Sequence, residues 1–399
     1  MNPINNPFAP GAGTQPPALV GREEILTQGD TLFERILAGR SEKSLMLTGL
    51  RGVGKTVLLN RLEDMAQTKR FLTIFHEAEE GVRMGGFLVQ GLRKILLRLD
   101  IHASAKEKVK KALIALRNFA GTLSLKIGDL GLSAEPVRGF SDSGELDQDL
   151  TDLLLLVADA AKEQKRAVAI FIDEIQYFEK KEFGALIMAF HRIQQRALPI
   201  VFVGAGLPQL PALAGELKSY AERLFAFPRI GALSEADAKK AVVQPLEREG
   251  VKIETAAVKR IAQKTRGYPY FIQEWGSQVW LAAPEKAEIS LEIVDRATSD
   301  VIRRLDENFF HVRYDRLTPG EKRFLRHMAH VANNAPVKMD ALSRSMGKKA
   351  STLAQVRRSL EQKGAIYAPH YGVFDFTVPL FGEFMKRAMP LSSRARENS

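Results

Sequence analysis

Two short stretches hold residues whose types and spacing can do chemistry. The first is TGLRGVGKT, residues 48–56. Gly49, Gly52 and Gly54 let the backbone turn its N–H groups inward around phosphate oxygens. Lys55 brings an ammonium to the β- and γ-phosphates, the Thr56 hydroxyl can ligate Mg²⁺, and Val57 carries the chain into a helix whose N-terminus faces the anion. The pattern is G-x-x-x-x-G-K-[ST]. The apolar run SLMLT stands before it and the helical VLLNRLEDMA after it, so the strand–turn–helix setting is present and an ordinary glycine-rich turn is the weaker reading. The second stretch is IFIDEIQ, residues 170–176. Asp173 closes a buried apolar strand, where it can hold Mg²⁺ through water, and Glu174 beside it can orient and deprotonate an attacking water. Acids at strand ends are often only solvated. Behind a phosphate-binding loop the pair points to ATP hydrolysis with Mg²⁺. Glu174 disfavours a P-loop kinase, and the absence of an N-K-x-D stretch disfavours GTP.

These residues need a scaffold. Continuous apolar runs recur at 44–48, 71–77, 167–173, 199–204 and 225–230, which is how parallel strands buried on both faces read. Helical patterns separate them, so the expected fold is α/β, a P-loop NTPase with a parallel sheet of ASCE type. Residues 85–150 insert helices at 85–100 and 105–120, a small hairpin in LSLKIGDLGLSAE, and a polar loop. A helix around LDQDLTDLLLLVADAAKEQ then leads to the third strand. From Ser234 to about residue 283 the pattern is helical, with Ser234 as N-cap and Glu235 and Asp237 in the first turn. Residues 290–310 read as one amphipathic linker helix.

The total charge bounds the partners. The chain of 399 residues has a formal net charge of +11 and no cysteine, which excludes disulfides, a thiol nucleophile and Cys-ligated zinc and fits a reducing cytoplasm. Residues 311–399 hold 16 Lys/Arg against 7 Asp/Glu, so nearly all the excess sits at one end, as in a polyanion-binding module. The N-terminus has no signal-peptide pattern. The uncharged stretch 197–215 carries Pro199, Pro208 and Pro211, so it reads as a strand and loop and no membrane span is expected.

LVGREE, residues 19–24, together with the two phosphate-site motifs and TRGYPYF, residues 265–271, resembles the STAND and origin-recognition-like branch of the AAA+ ATPases. The resemblance implies that Val20, Gly21 and Arg22 line the adenine site and that Gly267 to Pro269 close over the nucleotide from a helical lid. It makes Arg223, just before the fifth strand, the candidate arginine finger, open between action within one chain and action across a homo-oligomer; Arg266 is an alternative lid sensor. One departure stands out. The end of the fourth strand reads Val203-Gly204-Ala205-Gly206 where the family places a polar sensor, with Gln209 as the nearest substitute.

The basic end has its own pattern. Residues 317–332, 337–347 and 348–366 read as three helices, with Leu353, Val356 and Leu360 spaced to face a core. IYAPHYGVFDFTVP then alternates as a hairpin turning at 370–372. Three helices and a hairpin are the winged-helix pattern, whose third helix enters the major groove of duplex DNA. Lys348, Lys349, Ser351 and Thr352 would meet phosphates, and Gln355 and Arg358 base edges. The expected domains are an extended arm at 1–17, the ATPase domain at 18–232, the helical lid and linker at 233–310, and the winged helix at 311–399. A second reading is a STAND-type signalling switch whose winged helix binds protein and never meets DNA.

Overall fold

The computed structural model describes residues 1–11, 13–99, 106–124, 141–285, 288–332 and 335–390. The chain forms two compact units, one of residues 22–49 and 55–230, the other of residues 1–21, 50–54 and 231–399. The sequence boundaries at 17/18, 232/233 and 310/311 are drawn differently from these units.

The first unit carries the sheet. Its elements are α1 (Glu23–Leu37), β1 (Ser44–Gly49), α2 (Lys55–Thr68), β2 (Leu72–Glu77), α3 (Met84–Leu99), α4 (Lys106–Thr122) and α5 (Leu146–Glu163). They continue with β3 (Val168–Asp173), α6 (Lys180–Gln195), β4 (Ile200–Gly206), α7 (Leu210–Leu217), α8 (Ala221–Leu224), β5 (Phe225–Ala226) and β6 (Arg229–Ile230). The strands are parallel in the order β2-β3-β4-β1-β5, with β6 also pairing β1. Thus β4 lies between the strand that feeds the glycine-rich loop and the strand that ends at Asp173, the ASCE arrangement expected.

Every residue of β1, β3 and β4 is buried, which explains why these strands read as unbroken apolar runs. Met46, Ile170, Ile172 and Phe202 face the core shared with α3 to α6. On the other face Phe33 of α1 packs on Phe71 and Phe171, with Leu58 and Leu62 of α2 fully buried. Burying each such side chain contributes about 1.5–3 kcal/mol. The run at 225–230 is two short strands and not one, because Pro228 has no N–H to give the ladder; its carbonyl still accepts from Thr48 N at 2.9 Å. The expected hairpin near 123–135 falls mostly outside the described residues.

The second unit is helical with one small sheet. It contains α9 (Glu235–Arg248), α10 (Thr255–Thr265), α11 (Pro269–Ala282), α12 (Leu291–Leu305) and α13 (His311–Asp315). After them come α14 (Pro319–Ala332), β7 (Val337–Lys338), α15 (Met339–Met346), α16 (Ala350–Gln362), β8 (Ile366–His370), β9 (Val373–Phe376) and α17 (Phe381–Ala388). Ser234 caps α9 by accepting from Asp237 N at 3.1 Å, as its position predicts. The linker at 290–310 is α12 followed by a π-helical turn at Asp306–Phe310.

That turn ties the linker to the C-terminal elements. Phe310 is buried and stacks on Phe384 at 5.3 Å, and Arg387 makes a two-pronged ion pair with Asp306 at 2.6 and 2.9 Å. The N-terminal arm belongs to this unit as well. Phe8 is buried against Gly276 of α11, where a side-chain carbon would fall 2.4 Å from its ring.

The basic end folds as helix, strand, two helices and hairpin. Sheet order is β7-β9-β8, antiparallel, with the hairpin turning at Tyr371 and Gly372. The short β7 was not legible, because two residues make no run. Leu353 and Leu360 of α16 are buried as their spacing predicts, while Val356 is only half-buried. Glu321 of α14 pins α16: its carboxylate accepts from Ser359 Oγ at 2.6 Å, Lys363 Nζ at 2.8 Å and Thr318 N at 2.7 Å. Burial alone would raise its pKa, but these bonds together hold it at about 2.

Candidate nucleotide site

In sequence, β1 ends at Gly49 and α2 begins at Lys55. Between them Gly52 and Gly54 have φ of +81° and +93°, a backbone region that glycine alone enters freely. Lys55 is 5% exposed although it is a lysine, and its Nζ donates to Gly49 O at 3.1 Å. A buried ammonium needs a partner of opposite charge or a set of acceptors. Val57 is half-buried on the first turn of α2.

The parallel register carries β3 alongside β2 to Asp173, opposite Glu77. Asp173 is 1% exposed. Its Oδ2 accepts from Thr56 Oγ1 at 2.5 Å and its Oδ1 from Glu174 N at 2.8 Å. Burial raises its pKa; the Thr56 bond and the Lys55 charge work in the opposite direction. The hydroxyl and the carboxylate expected to serve one Mg²⁺ therefore meet. Two protein oxygens suit this ion, which keeps several waters and takes further ligands from substrate phosphates. Glu174 is half-buried with φ 51° and ψ 41°, a left-handed conformation that costs a non-glycine residue energy.

Sequence reasoning missed Gln176, two residues on. It sits in the 3-10 turn Ile175–Tyr177. Its Nε2 donates to Glu174 Oε2 and its Oε1 accepts from Leu207 N at 3.1 Å. Gln209, the expected substitute for a polar sensor, stands at the start of α7 with its Oε1 buried and accepting no bond among the described residues. Arg223 is exposed on α8, where a surface arginine and a finger reaching another copy look alike. Arg22 is 8% exposed at the start of α1.

Within the second unit, Gly21 has φ +67° and lies against Asp237, where a side-chain carbon would fall 2.8 Å from Oδ2. Val20 beside it is half-buried. Gly267 has φ +69°, and a side-chain carbon there would strike Leu233 O at 2.4 Å. Pro269 opens α11, where its missing N–H costs nothing. The residues between and after these do the touching. Tyr268 is 3% exposed and its hydroxyl donates to Arg51 O, while Tyr270 N donates to Gly52 O at 3.4 Å. Desolvation raises the pKa of both phenols. Arg266 pairs with Glu383 of α17 at 2.5 Å.

The residues assigned to DNA are all on one surface. Lys348 and Lys349 precede α16, and Ser351, Thr352, Gln355 and Arg358 lie along it; all six are exposed. Tyr371 at the hairpin tip is fully exposed too.

Residues 18–203 match the family model described as AAA ATPase domain, and residues 307–385 match a model described as Domain of unknown function (DUF8462). The Walker-type ATPase PABY2304 of Pyrococcus abyssi aligns with a TM-score of 0.60 at 12% identity, covering 94% of this chain and 97% of that one. The chain has the P-loop NTPase fold. Two looser likenesses, from which nothing is argued, are Cdc6p of Pyrobaculum aerophilum, with TM-score 0.47, 14% identity and coverage of 95% and 97%, and the RuvB Holliday junction branch migration motor of Thermotoga maritima, with TM-score 0.44, 18% identity and coverage of 94% and 99%. No curated protein matches the chain. Among the described residues no helix is long and apolar enough to cross a membrane.

Proposed function

We propose that this AAA+ chain binds ATP with Mg²⁺, hydrolyses it, and uses the nucleotide state to control a basic winged-helix module that binds duplex DNA. The observation that carries the ATPase part is the meeting of Lys55, Thr56, Asp173 and Glu174 at the ends of β1 and β3. Lys55 would pair with the β- and γ-phosphates. Thr56 and Asp173 would hold Mg²⁺, which neutralises charge on the phosphates when bound. Glu174 would take a proton from water and aim it at the γ-phosphate. Val20, Gly21, Arg22, Gly267 and Pro269 remain assigned to the nucleotide by the family resemblance. The match of residues 18–203 to the AAA ATPase domain supports the same reading.

The test is Glu174→Gln. It keeps shape and loses the base, so the variant should bind Mg·ATP as the wild type does while ADP release falls about 10²–10⁴-fold. A variant turning over at the wild-type rate would remove Glu174 as the base.

The DNA part rests on the exposed row from Lys348 to Arg358 and the hairpin beside it. One observation favours the signalling-switch alternative. Arg51 Nη2 lies 3.0 Å from where a side-chain carbon on Gly364 would stand, so the basic module touches the tip of the phosphate loop. A module seated there can report nucleotide to a protein partner without DNA. Binding of labelled duplex across a salt series separates the two.

A further inference from the structure

The glycines that close β4 have a use. A side-chain carbon on Gly204 would fall 2.2 Å from Ile175 Cδ1, and one on Gly206 would fall 2.8 Å from Gln176 Oε1. Both collisions are with the 3-10 turn that follows Glu174. The bare end of β4 therefore makes room for a polar side chain delivered from the end of β3. Both ends of the Gln176 amide are used there: the oxygen accepts from Leu207 N at 3.1 Å and the NH₂ donates to Glu174 Oε2. A carboxylate offers no proton and a backbone N–H offers no lone pair, so only one orientation of the amide satisfies both partners. Glu174, in its left-handed backbone conformation, is thus fixed at its side chain by a group anchored just past the end of the neighbouring strand.

We propose that Gln176 is the positioning residue for Glu174, holding the general base at the register set by the end of β4. The inference rests on the reading of Glu174 as the base for ATP hydrolysis. Gln176 touches neither ATP nor water in this scheme. It acts through Glu174 alone, so its loss should lower turnover and leave nucleotide affinity intact.

The experiment uses the full chain and four variants: Gln176→Met, Gly206→Ala, Glu174→Gln, and Glu174→Gln combined with Gln176→Met. Gln176→Met keeps the length and removes both hydrogen bonds. Gly206→Ala displaces the amide without changing Gln176. Each should lower kcat by about 10–100-fold, since small misplacements of a reacting group cost that much. The dissociation constant for ATP should stay within about threefold and the melting temperature within a few degrees. The double variant should turn over no more slowly than Glu174→Gln alone, because Gln176 has nothing left to position. Gln176→Met with wild-type kcat overturns the proposal, as does a loss of ATP affinity and stability in step with kcat, or a double variant clearly slower than Glu174→Gln. A wild-type chain that releases no ADP overturns the hydrolytic reading itself, a failure visible before any Gln176 variant is made.

Discussion

Thr56 and Asp173, 117 positions apart in sequence, are joined by a 2.5 Å hydrogen bond from hydroxyl to carboxylate. The order of the parallel sheet and the packing of α2 on β3 bring the start of α2 to the end of β3. This bond joins the two side chains that would hold Mg²⁺, Thr56 by its hydroxyl and Asp173 through water.

Thr56→Ala and Asp173→Ala should therefore each abolish the increment that Mg²⁺ adds to ATP affinity, at least about tenfold, while affinity measured in excess chelator stays near that of the wild type. Calorimetric titration with and without Mg²⁺ reads both numbers. Equal losses in the two conditions would show that these residues hold the loop and not the ion.

Lys348 and Lys349 stand before α16 with no acidic partner among the described residues. Changing both to Ala in the full chain should weaken binding to duplexes of every sequence alike. The log–log salt slope should become shallower by up to about two units, since each phosphate contact contributes about −0.9. Arg358→Ala should cost about 1–3 kcal/mol on a preferred site and little elsewhere. A chain that ignores duplex DNA even at low salt hands the basic module to the protein-binding reading.

Glu321 gives an acid-stability prediction with a definite sign. Its folded pKa of about 2 lies below the unfolded value of about 4.3. The stabilisation is fully present above pH 4.3 and disappears as pH falls towards 2. Glu321→Gln should be less stable at neutral pH by up to about 3 kcal/mol, and the gap should close between pH 4.3 and 2. Urea unfolding across that window measures it.

Arg223 tests assembly. If it serves the site of a second copy, ADP release per chain should rise with protein concentration, and Arg223→Ala should flatten that rise. A constant rate per chain in the wild type places Arg223 among ordinary surface arginines.

The sheet was readable because β1, β3 and β4 are buried on both faces, which leaves only apolar residues to place there. Lys55, Thr56, Asp173 and Glu174 were readable because a phosphate loop must be continuous in sequence and its acids must end a strand. Gln176 was not. Its partners are Glu174 and Leu207, and the second is 31 positions away. In sequence it is a lone amide after an acidic pair, and its counterpart, Gly206, showed only as a missing sensor. The π-helical turn at Asp306–Phe310 was equally hidden, because its cause is the packing of Phe310 on Phe384 and the Arg387 pair, both from a helix more than seventy residues on. The fit of Tyr268 and Tyr270 to the loop tip escaped for the same reason: a Gly-x-Pro pattern draws the eye to the glycine and the proline.

Phe8 leaves the ribosome long before the helix it packs on. Its seat is Gly276, about 270 residues later, which at ordinary elongation rates is a delay of roughly 15–50 s. Through that interval the finished sheet residues can collapse while the Phe8 ring stays exposed on an open segment, a target for chaperones and proteases. Only when α11 emerges does the Phe8 segment find its place, so a stretch made before the sheet is shielded after it.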